Sequence, residues 1–283
     1  MPPLRRHVTV SAVLACALCM MATIGVAQDR VFREIRRFDV PEARQGVAVD
    51  AEHFYAITNR AVAKYTKATG TLVKRWEASD ATPLVHLNAG LVIDGKLYCA
   101  HSNYPDYPDT SSVEIWDADS LEHVGTHSFG ITDGSLTWID SHDGAWWAVF
   151  AHYSKHVGKK GRTQGTPWTR LVKLDQDWRL EQSWLFPEEL IRRFEPSSNS
   201  GGMWGPDGLL YCTGHDEAEL YRLTLPSSGS VLRLRDVIPV SFPGQAFAWD
   251  RSEQGIIYGV DKSSRRVVVL QSIDQENRTV PHD

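Results

Sequence analysis

The chain has 283 residues, of which 42% are hydrophobic and 23% are charged, and its formal net charge is −5. This composition is ordinary for a soluble globular protein with a large core. The net acidic charge argues against a nucleic-acid partner, and no stretch after residue 27 is apolar enough to cross a membrane.

The first residues have the features of a secretory leader. Arg5 and Arg6 precede the apolar run Val8–Val26, and small residues lead to a cleavage point after Ala27. We therefore expect residues 1–27 to be a signal peptide, and the mature protein to be periplasmic or secreted without membrane association. The run is also long enough to span a bilayer, so an uncleaved anchor is the alternative.

After the leader, one pattern recurs at spacings of roughly 40 to 70 residues. An apolar strand ends in aspartate, a turn follows, and a second strand carries an aromatic residue near its middle. The aspartates are Asp50, Asp94, Asp140, Asp207 and Asp250, and the aromatic residues are Tyr55, Tyr98, Trp147, Tyr211 and Tyr258. Short strands that repeat in this way predict a β-propeller.

We expect an all-β fold, a single five-bladed β-propeller within residues 28–273. The blades are expected at residues 45–80, 87–130, 134–186, 200–240 and 244–273. The last repeat lacks a fourth strand, whereas an unassigned strand, residues 31–40, precedes the first blade. We therefore expect this N-terminal strand to be the outer strand of the last blade and to close the ring. Residues 274–283 are expected to be a polar tail.

The third repeat is longer than the others. Its extra residues form a basic loop, Ser154–Trp168, and the segment Phe186–Asn199, in which a Pro-Glu-Glu start and the apolar spacing predict one short helix. On a net acidic protein, a basic loop favours an anionic ligand such as a carboxylate or uronate. A solvated loop without a ligand is the simpler alternative.

Polar side chains concentrate on one face of the predicted propeller. There, the loops after the second strands and the loops before the inner strands open around the central channel. The candidate ligand-binding residues are Arg44, Gln45, Asn59, Arg60, His86, Asn88, Asn103, Tyr104, Tyr153, Gln245 and Lys262. Because nearly every corner offers a polar group, we expect a small-molecule ligand to bind at this face.

Histidines add to this pattern, since His86, His101, His152 and His215 all fall on that face. Converging imidazoles are common ligands of transition metals, so a divalent metal held by His101, His152 and His215 is one interpretation, with Asp216 or Asp261 as oxygen donors. The alternative is that the histidines hydrogen-bond loop backbone or ligand, because they do not share one strand register. The candidates for catalysis, as general acids or bases, are His101, His215, Asp216 and Asp261.

The repeats resemble those of secreted YncE-like and quinoprotein-dehydrogenase-like propellers. Gln45-Gly46, followed by FYAIT and KYTKATG, resembles the first repeat of plant-type glutaminyl cyclotransferases, which are exported five-bladed propellers. This resemblance implies the same architecture over most of the chain. The acidic FGEG-type motif of the cyclotransferases is not found in this sequence, and neither is a P-loop, a dinucleotide fingerprint, GxSxG or HExxH.

Two functional interpretations stay open. The clustering of titratable residues on one face favours an exported enzyme of hydrolase, lyase or cyclase type. Its substrate would be a small polar ligand that is anionic or carbohydrate-like, and one form of this hypothesis includes a catalytic metal ion. The other interpretation is a non-catalytic propeller, in which the same residues hold a ligand or a protein partner.

Overall fold

The computed structural model describes residues 30–274, which form five antiparallel sheets of four strands each. The sheets are the blades of a five-bladed β-propeller, and this confirms the predicted fold. The expected signal peptide and residues 275–283 of the expected tail lie outside the described residues. Between residues 30 and 274, no helix is long and apolar enough to cross a membrane.

The first four blades each consist of four consecutive strands, and β1 (Arg30–Asp39) precedes them. The first blade contains β2 (Gly46–Val49), β3 (His53–Ile57), β4 (Ala61–Thr66) and β5 (Leu72–Glu77). The second contains β6 (His86–Ile93), β7 (Lys96–Ser102), β8 (Thr110–Asp117) and β9 (His123–Ile131). The third contains β10 (Ser135–His142), β11 (Ala145–Ala151), β12 (Arg170–Leu174) and β13 (Leu180–Leu185). The fourth contains β14 (Gly201–Trp204), β15 (Leu210–Thr213), β16 (Glu219–Thr224) and β17 (Arg233–Pro239).

The fifth blade joins the two ends of the described chain. It contains β18 (Ala248–Trp249), β19 (Ile256–Asp261), β20 (Arg266–Asp274) and, at its outer edge, β1. The β1 strand runs antiparallel to β20, with Arg30 opposite Asp274 and Asp39 opposite Arg266. The predicted closure of the ring by the N-terminal strand is thus confirmed.

In the first and fourth blades, the recurring aspartate stabilises the hairpin between the first and second strands. Asp50 accepts hydrogen bonds from the backbone of its turn and from the Tyr55 hydroxyl, at 2.6 Å. In the fourth blade, Asp207 likewise accepts a hydrogen bond from the Tyr211 hydroxyl, at 2.7 Å. The Asp and Tyr of the repeat are therefore partners within one hairpin, which explains why they recur together in these blades.

Close packing between inner strands joins neighbouring blades. Trp138 of β10 is fully buried, and its indole N–H donates a hydrogen bond to Asn199 Oδ1 at 2.5 Å. The Trp138 ring lies against Gly202 of β14, where an added Cβ would be 2.3 Å from the ring. Any larger residue at position 202 would therefore push the third and fourth blades apart.

The extra residues of the third blade form short helical segments. The basic loop contains two 3-10 turns, Ser154–His156 and Thr166–Trp168. Helix α1 (Glu188–Phe194) follows β13 and buries Leu190, Ile191 and Phe194 against the blades. The predicted short helix between residues 186 and 199 is therefore present.

Candidate functional site

A cavity of about 310 Å³ lies at one end of the central channel, where the second strands leave their sheets. Each blade contributes one polar residue from the start of its inner strand, and we call this set the channel ring. The channel ring consists of Gln45, Asn88, Thr137, Ser200 and Gln245. Surrounding strand ends and loops contribute Asn59, His86, Tyr104, Pro105, Tyr153, Lys155, His215 and Lys262. A concave site with convergent polar groups is typical of small-molecule binding.

The backbone is irregular at three positions of the channel ring. The β6–β7 pairing shifts register around Asn88, and the β10–β11 pairing shifts register at Thr137. Gln245 has a φ of +61°, in the left-handed region that favours glycine. Bulges beside functional sites re-aim side chains. Here the side chains at all three irregular positions line the cavity.

The channel ring is only partly hydrogen-bonded within the protein. The Asn88 amide donates a hydrogen bond to Leu136 O at 3.1 Å, and the Gln45 amide donates to Asn59 Oδ1 at 2.5 Å. The Thr137 hydroxyl is buried, at 2% exposure, and has no hydrogen-bond partner within residues 30–274. A buried hydroxyl without a partner costs free energy, so Thr137 offers an unused hydrogen bond at the cavity.

Aromatic rings form one wall of the cavity. The Tyr104 ring lies 5.0 Å from the His86 ring and 4.8 Å from the Tyr153 ring, between centroids. We call these three residues the aromatic wall. Burial lowers the pKa of His86 to about 4, so its imidazole is neutral at pH 7. Burial also raises the pKa of the Tyr153 hydroxyl, which therefore stays protonated.

Two lysines place positive charge at the cavity. Lys262 is exposed, whereas Lys155 is half-buried, with its ammonium 5.4 Å from the Tyr153 ring centroid and 3.2 Å from Ser197 Oγ. Neither lysine forms an ion pair with a carboxylate in the described part of the chain. Partial burial lowers the pKa of the Lys155 amine, and Lys262 adds to this effect against the opposing charge of Asp216.

His215 lines the cavity next to a carboxylate. Its Nδ1 lies 2.6 Å from Asp216 Oδ1, so Nδ1 carries the proton when Asp216 is ionised. Partial burial opposes ionisation of Asp216, but hydrogen bonds from His215 and Ser197 and the charge of Lys155 outweigh burial, and the pKa of the carboxyl is lowered. Nε2 of His215 has no hydrogen-bond partner between residues 30 and 274. A histidine oriented in this way can exchange protons with a ligand through Nε2.

His101 does not line the cavity, although the sequence made it a candidate for catalysis and metal binding. Its ring, 8% exposed, lies inside the second blade, where Nδ1 is 2.9 Å from Ser112 Oγ. Its Nε2 accepts a hydrogen bond from the Val85 N–H at 3.1 Å. Because both ring nitrogens already have protein partners, we correct the expected role of His101 to a structural one.

The three histidines expected to bind a metal do not converge. His152 is buried, with Nε2 3.4 Å from Asp133 Oδ1, and it does not line the cavity that contains His215. His101 lies in the second blade. Across residues 30–274, no group of three or more His, Cys, Asp or Glu side chains is arranged to hold a metal ion. The predicted ligand set therefore does not form a metal site.

Four further candidates also lie outside the cavity lining. Asp261 accepts hydrogen bonds from two serines of the β19–β20 turn, at 2.7 and 2.5 Å. Arg60 donates to backbone carbonyls of the loop after β5, and Asn103 bridges backbone groups within its own loop. Arg44 is exposed. The expected catalytic role of Asp261 and the ligand-binding roles of Arg60 and Asn103 are corrected, because these side chains stabilise turns and loops.

The basic loop of the third blade divides into residues with different roles. The buried Arg162 forms two hydrogen bonds with the Asp109 carboxylate, at 2.9 and 2.8 Å. Lys160 pairs with Asp106 on the surface. Among the lysines and arginine of this loop, Lys155 is the residue that lines the cavity.

Thr137 and Pro105 are cavity residues that sequence reasoning missed. Thr137 is the third residue of β10, just as Asn88 is the third residue of β6. An alignment of strand starts would have matched the two residues. Alignment on the recurring aspartates hid this match, because Asp94 follows the end of β6 whereas Asp140 lies within β10.

No family profile matches the chain, and no characterised protein matches it in sequence. Among solved structures, glutaminyl cyclase from Myxococcus xanthus is similar with a TM-score of 0.57 and 13% identity, over 87% of this chain and 98% of that chain. A luciferin-regenerating enzyme has a TM-score of 0.48 and 11% identity, over 87% of this chain and 96% of that chain. Virginiamycin B lyase from Staphylococcus aureus has a TM-score of 0.46 and 9% identity, over 87% of this chain and 100% of that chain. The chain therefore has a five-bladed β-propeller fold that resembles the Myxococcus xanthus glutaminyl cyclase, as its first repeat suggested.

Proposed function

We propose that the protein is an exported enzyme that binds a small anionic molecule in the axial cavity and transforms it by proton transfer at His215. The reaction belongs to the lyase, cyclase or hydrolase type, in which a base removes a proton or an acid assists a leaving group. Small carboxylic acids, including sugar acids such as uronates, are the corresponding class of substrate.

The observation that carries this proposal is a pair of cavity lysines that form no ion pair within the described chain. Lys155 and Lys262 line one cavity, and neither pairs with a carboxylate in the described residues. Of the other described lysines, Lys64, Lys67, Lys160 and Lys173 pair with carboxylates. Three more, Lys74, Lys96 and Lys159, form no ion pair within residues 30–274, but they are exposed and do not line the cavity. On a chain with a net charge of −5, two ammonium groups that line one cavity and form no ion pair with a described carboxylate attract an anion. Ammonium groups also donate charge-assisted hydrogen bonds to carboxylates.

The shape and lining of the cavity support a small polar ligand. Its volume of about 310 Å³ is near the lower limit of small-molecule sites, roughly 300 Å³. The channel ring supplies amide and hydroxyl groups, including the unpaired hydroxyl of Thr137. The aromatic wall supplies ring faces on which a sugar or a planar group can pack.

The arrangement of His215 and Asp216 supports catalysis. The carboxylate orients the imidazole through Nδ1, so that Nε2 faces away from Asp216 and can exchange a proton with the ligand. The Myxococcus xanthus protein, with a similar fold, is itself an enzyme, so this architecture is compatible with catalysis.

Calorimetric titration at low ionic strength tests the preference for anions. Glucuronate and malonate are compared with the neutral molecules glucose and malonamide, and we expect the anions to bind more tightly. Lys262→Ala is expected to weaken anion binding about tenfold, through loss of a charge-assisted hydrogen bond worth about 1.5 kcal/mol. Lys96→Ala, which removes an exposed lysine at the opposite face, is the matched control. Equal binding of charged and neutral molecules would contradict the proposal.

A second measurement separates catalysis from binding. The anion that binds most tightly is incubated with the protein, and its products are followed by NMR. We expect His215→Ala to bind this anion and to lose turnover, because the imidazole supplies the proton transfer. If the wild-type protein leaves the bound anion unchanged, the proposed enzyme activity is wrong and the protein is a non-catalytic binding propeller.

A further inference from the structure

We infer that the Lys155 amine is a nucleophile that condenses with the carbonyl group of a small anionic aldehyde or ketone, such as a 2-oxo acid. This inference rests on the proposed function, because the same cavity must admit the anion. It adds two features, namely the carbonyl group that the ligand carries and the residue that forms a covalent bond with it.

The position of Lys155 is held by contacts of its backbone, of the preceding residue and of its own side chain. Its backbone N–H donates a hydrogen bond to Pro196 O at 3.2 Å, and the hydroxyl of the preceding Ser154 donates to Glu195 Oε1 at 2.8 Å. The half-buried side chain lies over the Tyr153 ring. Much of the rotamer freedom that a surface lysine retains is therefore already lost, and the amine is oriented before a ligand binds.

The surroundings of the amine favour its neutral, nucleophilic form. Its hydrogen-bond partner is the uncharged Ser197 hydroxyl, at 3.2 Å, and no carboxylate of residues 30–274 pairs with it. By comparison, the buried ammonium of Lys67 pairs with two carboxylates. Partial burial lowers the pKa of the Lys155 amine, the charge of Asp216 opposes this effect, and the nearby charge of Lys262 adds to it, so that the pKa is lowered. A lysine that is desolvated and lies near another cation is the usual form of an amine nucleophile.

Other residues of the same cavity supply what the condensation needs. Lys262 can bind the carboxylate of the ligand, which brings the neighbouring carbonyl carbon into the cavity. His215 has a free Nε2 and a proton on Nδ1 held by Asp216, so it can transfer protons during the reaction. The amine, the anion-binding group and the acid–base group therefore line one small cavity.

The condensation proceeds by addition and then by loss of water. The nitrogen lone pair of Lys155 forms a bond to the carbonyl carbon, and the carbonyl oxygen takes up one proton from the amine. That oxygen then leaves as water with the second amine proton, and the carbon–oxygen bond breaks to give an imine. Protonation of the imine nitrogen by His215 or solvent gives an iminium ion, which makes the adjacent C–H bond more acidic and so favours proton transfer at this site.

Reductive trapping tests this inference. The full chain is incubated at neutral pH with limiting glyoxylate and sodium cyanoborohydride, which reduces an iminium ion to a stable secondary amine. Peptide mass mapping then locates the carboxymethyl label. We expect Lys155 to carry most of the label, with little on Lys159 and Lys160, which are exposed in the same loop. Equal labelling of all three lysines would overturn the inference.

Two conservative variants control for changes in structure. Lys155→Arg keeps the positive charge but cannot form an imine, so we expect it to lose most of the label and to retain the wild-type unfolding temperature. Lys159→Arg is the matched control and is expected to label as the wild type does. A Lys155→Arg protein that takes up as much label as the wild type would overturn the inference.

A neutral aldehyde separates this inference from the proposed anion site. Glycolaldehyde has the carbonyl group of glyoxylate without its carboxylate, so we expect it to label Lys155 less than glyoxylate does. Equal labelling of Lys155 by both aldehydes, unchanged in Lys262→Ala, would support the reactive amine and contradict the anion site. Calorimetric binding of glyoxylate without labelling of Lys155 would support the anion site and overturn the reactive amine.

Discussion

Nδ1 of His101 lies 2.9 Å from Oγ of Ser112, in the interior of the second blade. The Ser112 hydroxyl donates in turn to Glu114 Oε1 at 2.6 Å, so Ser112 accepts from the histidine. With Nε2 accepting the Val85 N–H, the imidazole connects the loop before β6 to strand β8. His101 thus stabilises the wall of the channel and leaves proton transfer to other residues.

Replacing His101 is therefore expected to reduce stability. His101→Ala leaves the Val85 N–H without its acceptor and removes the donor to Ser112 Oγ. We expect the free energy of unfolding to fall by about 2–3 kcal/mol in denaturant titration. His215→Ala, at a side chain that is 34% exposed, is expected to change it by less than about 0.5 kcal/mol. A His101→Ala protein that unfolds like the wild type but no longer binds anions would show that His101 belongs to the functional site.

Stability is also expected to fall as the pH decreases, because of His86. Burial lowers its pKa from 6.5 to about 4 in the folded protein. Between these values the unfolded chain binds a proton that the folded chain does not, so stability is lost as the pH falls. The neutral His86 side chain contributes at most about 3 kcal/mol to the free energy of unfolding. This contribution is fully present above pH 6.5 and is lost as the pH falls to about 4. In His86→Gln, the slope of unfolding free energy against pH should be smaller, and parallel curves for the two proteins would contradict this assignment.

The buried ion pair between Arg162 and Asp109 should contribute more to the free energy of unfolding than the exposed pair between Lys160 and Asp106. Arg162→Met leaves the Asp109 carboxylate buried without its partner, and we expect a loss of about 3–5 kcal/mol in the free energy of unfolding. Lys160→Ala breaks the exposed pair with Asp106 and is expected to cost about 0–1 kcal/mol. Circular dichroism during thermal unfolding compares the two variants, and similar unfolding temperatures would show that Arg162 is not a structural residue.

The unpaired hydroxyl of Thr137 allows a test of binding without loss of stability. Thr137→Val keeps the shape and removes no protein hydrogen bond, so the unfolding temperature should stay the same or rise, while calorimetry should show weaker anion binding. Thr213 is the matched control, because its hydroxyl donates to Gln245 O at 2.5 Å. Thr213→Val should cost about 1–3 kcal/mol by leaving that carbonyl unpaired. Unchanged anion affinity in Thr137→Val would show that the Thr137 hydroxyl does not bind the ligand.

The architecture could be predicted because it depends on contacts within single hairpins. Asp50 and Tyr55 lie five residues apart and bond to each other, so their recurrence in the sequence marks one structural unit. The closure of the ring followed from counting strands, since the last repeat lacked one strand and the N-terminus had one strand too many. Neither inference needs the direction of any individual side chain.

The candidate site could be predicted only in part. Gln45, His86 and Gln245 line the cavity as their loop positions indicated. His101 was assigned to the wrong place because a shift of one residue turns a strand side chain to the opposite face, and the register shift beside it is not visible in the sequence. Thr137 was missed for a related reason, since the bulge that contains it depends on pairing with β11.

The pairing of β1 with β20 has a consequence for synthesis. Of the described strands, β1 leaves the ribosome first and β20 last, so the contact between Arg30 and Asp274 can form only after β20 has been made. Until then β1 has an unpaired edge, and such edges promote aggregation. Several charged side chains along β1 are exposed, namely Arg33, Glu34, Arg36 and Arg37. Charge on an edge strand discourages pairing with other chains, so the same residues that face solvent in the finished ring protect the growing chain while its partner strand is still being made.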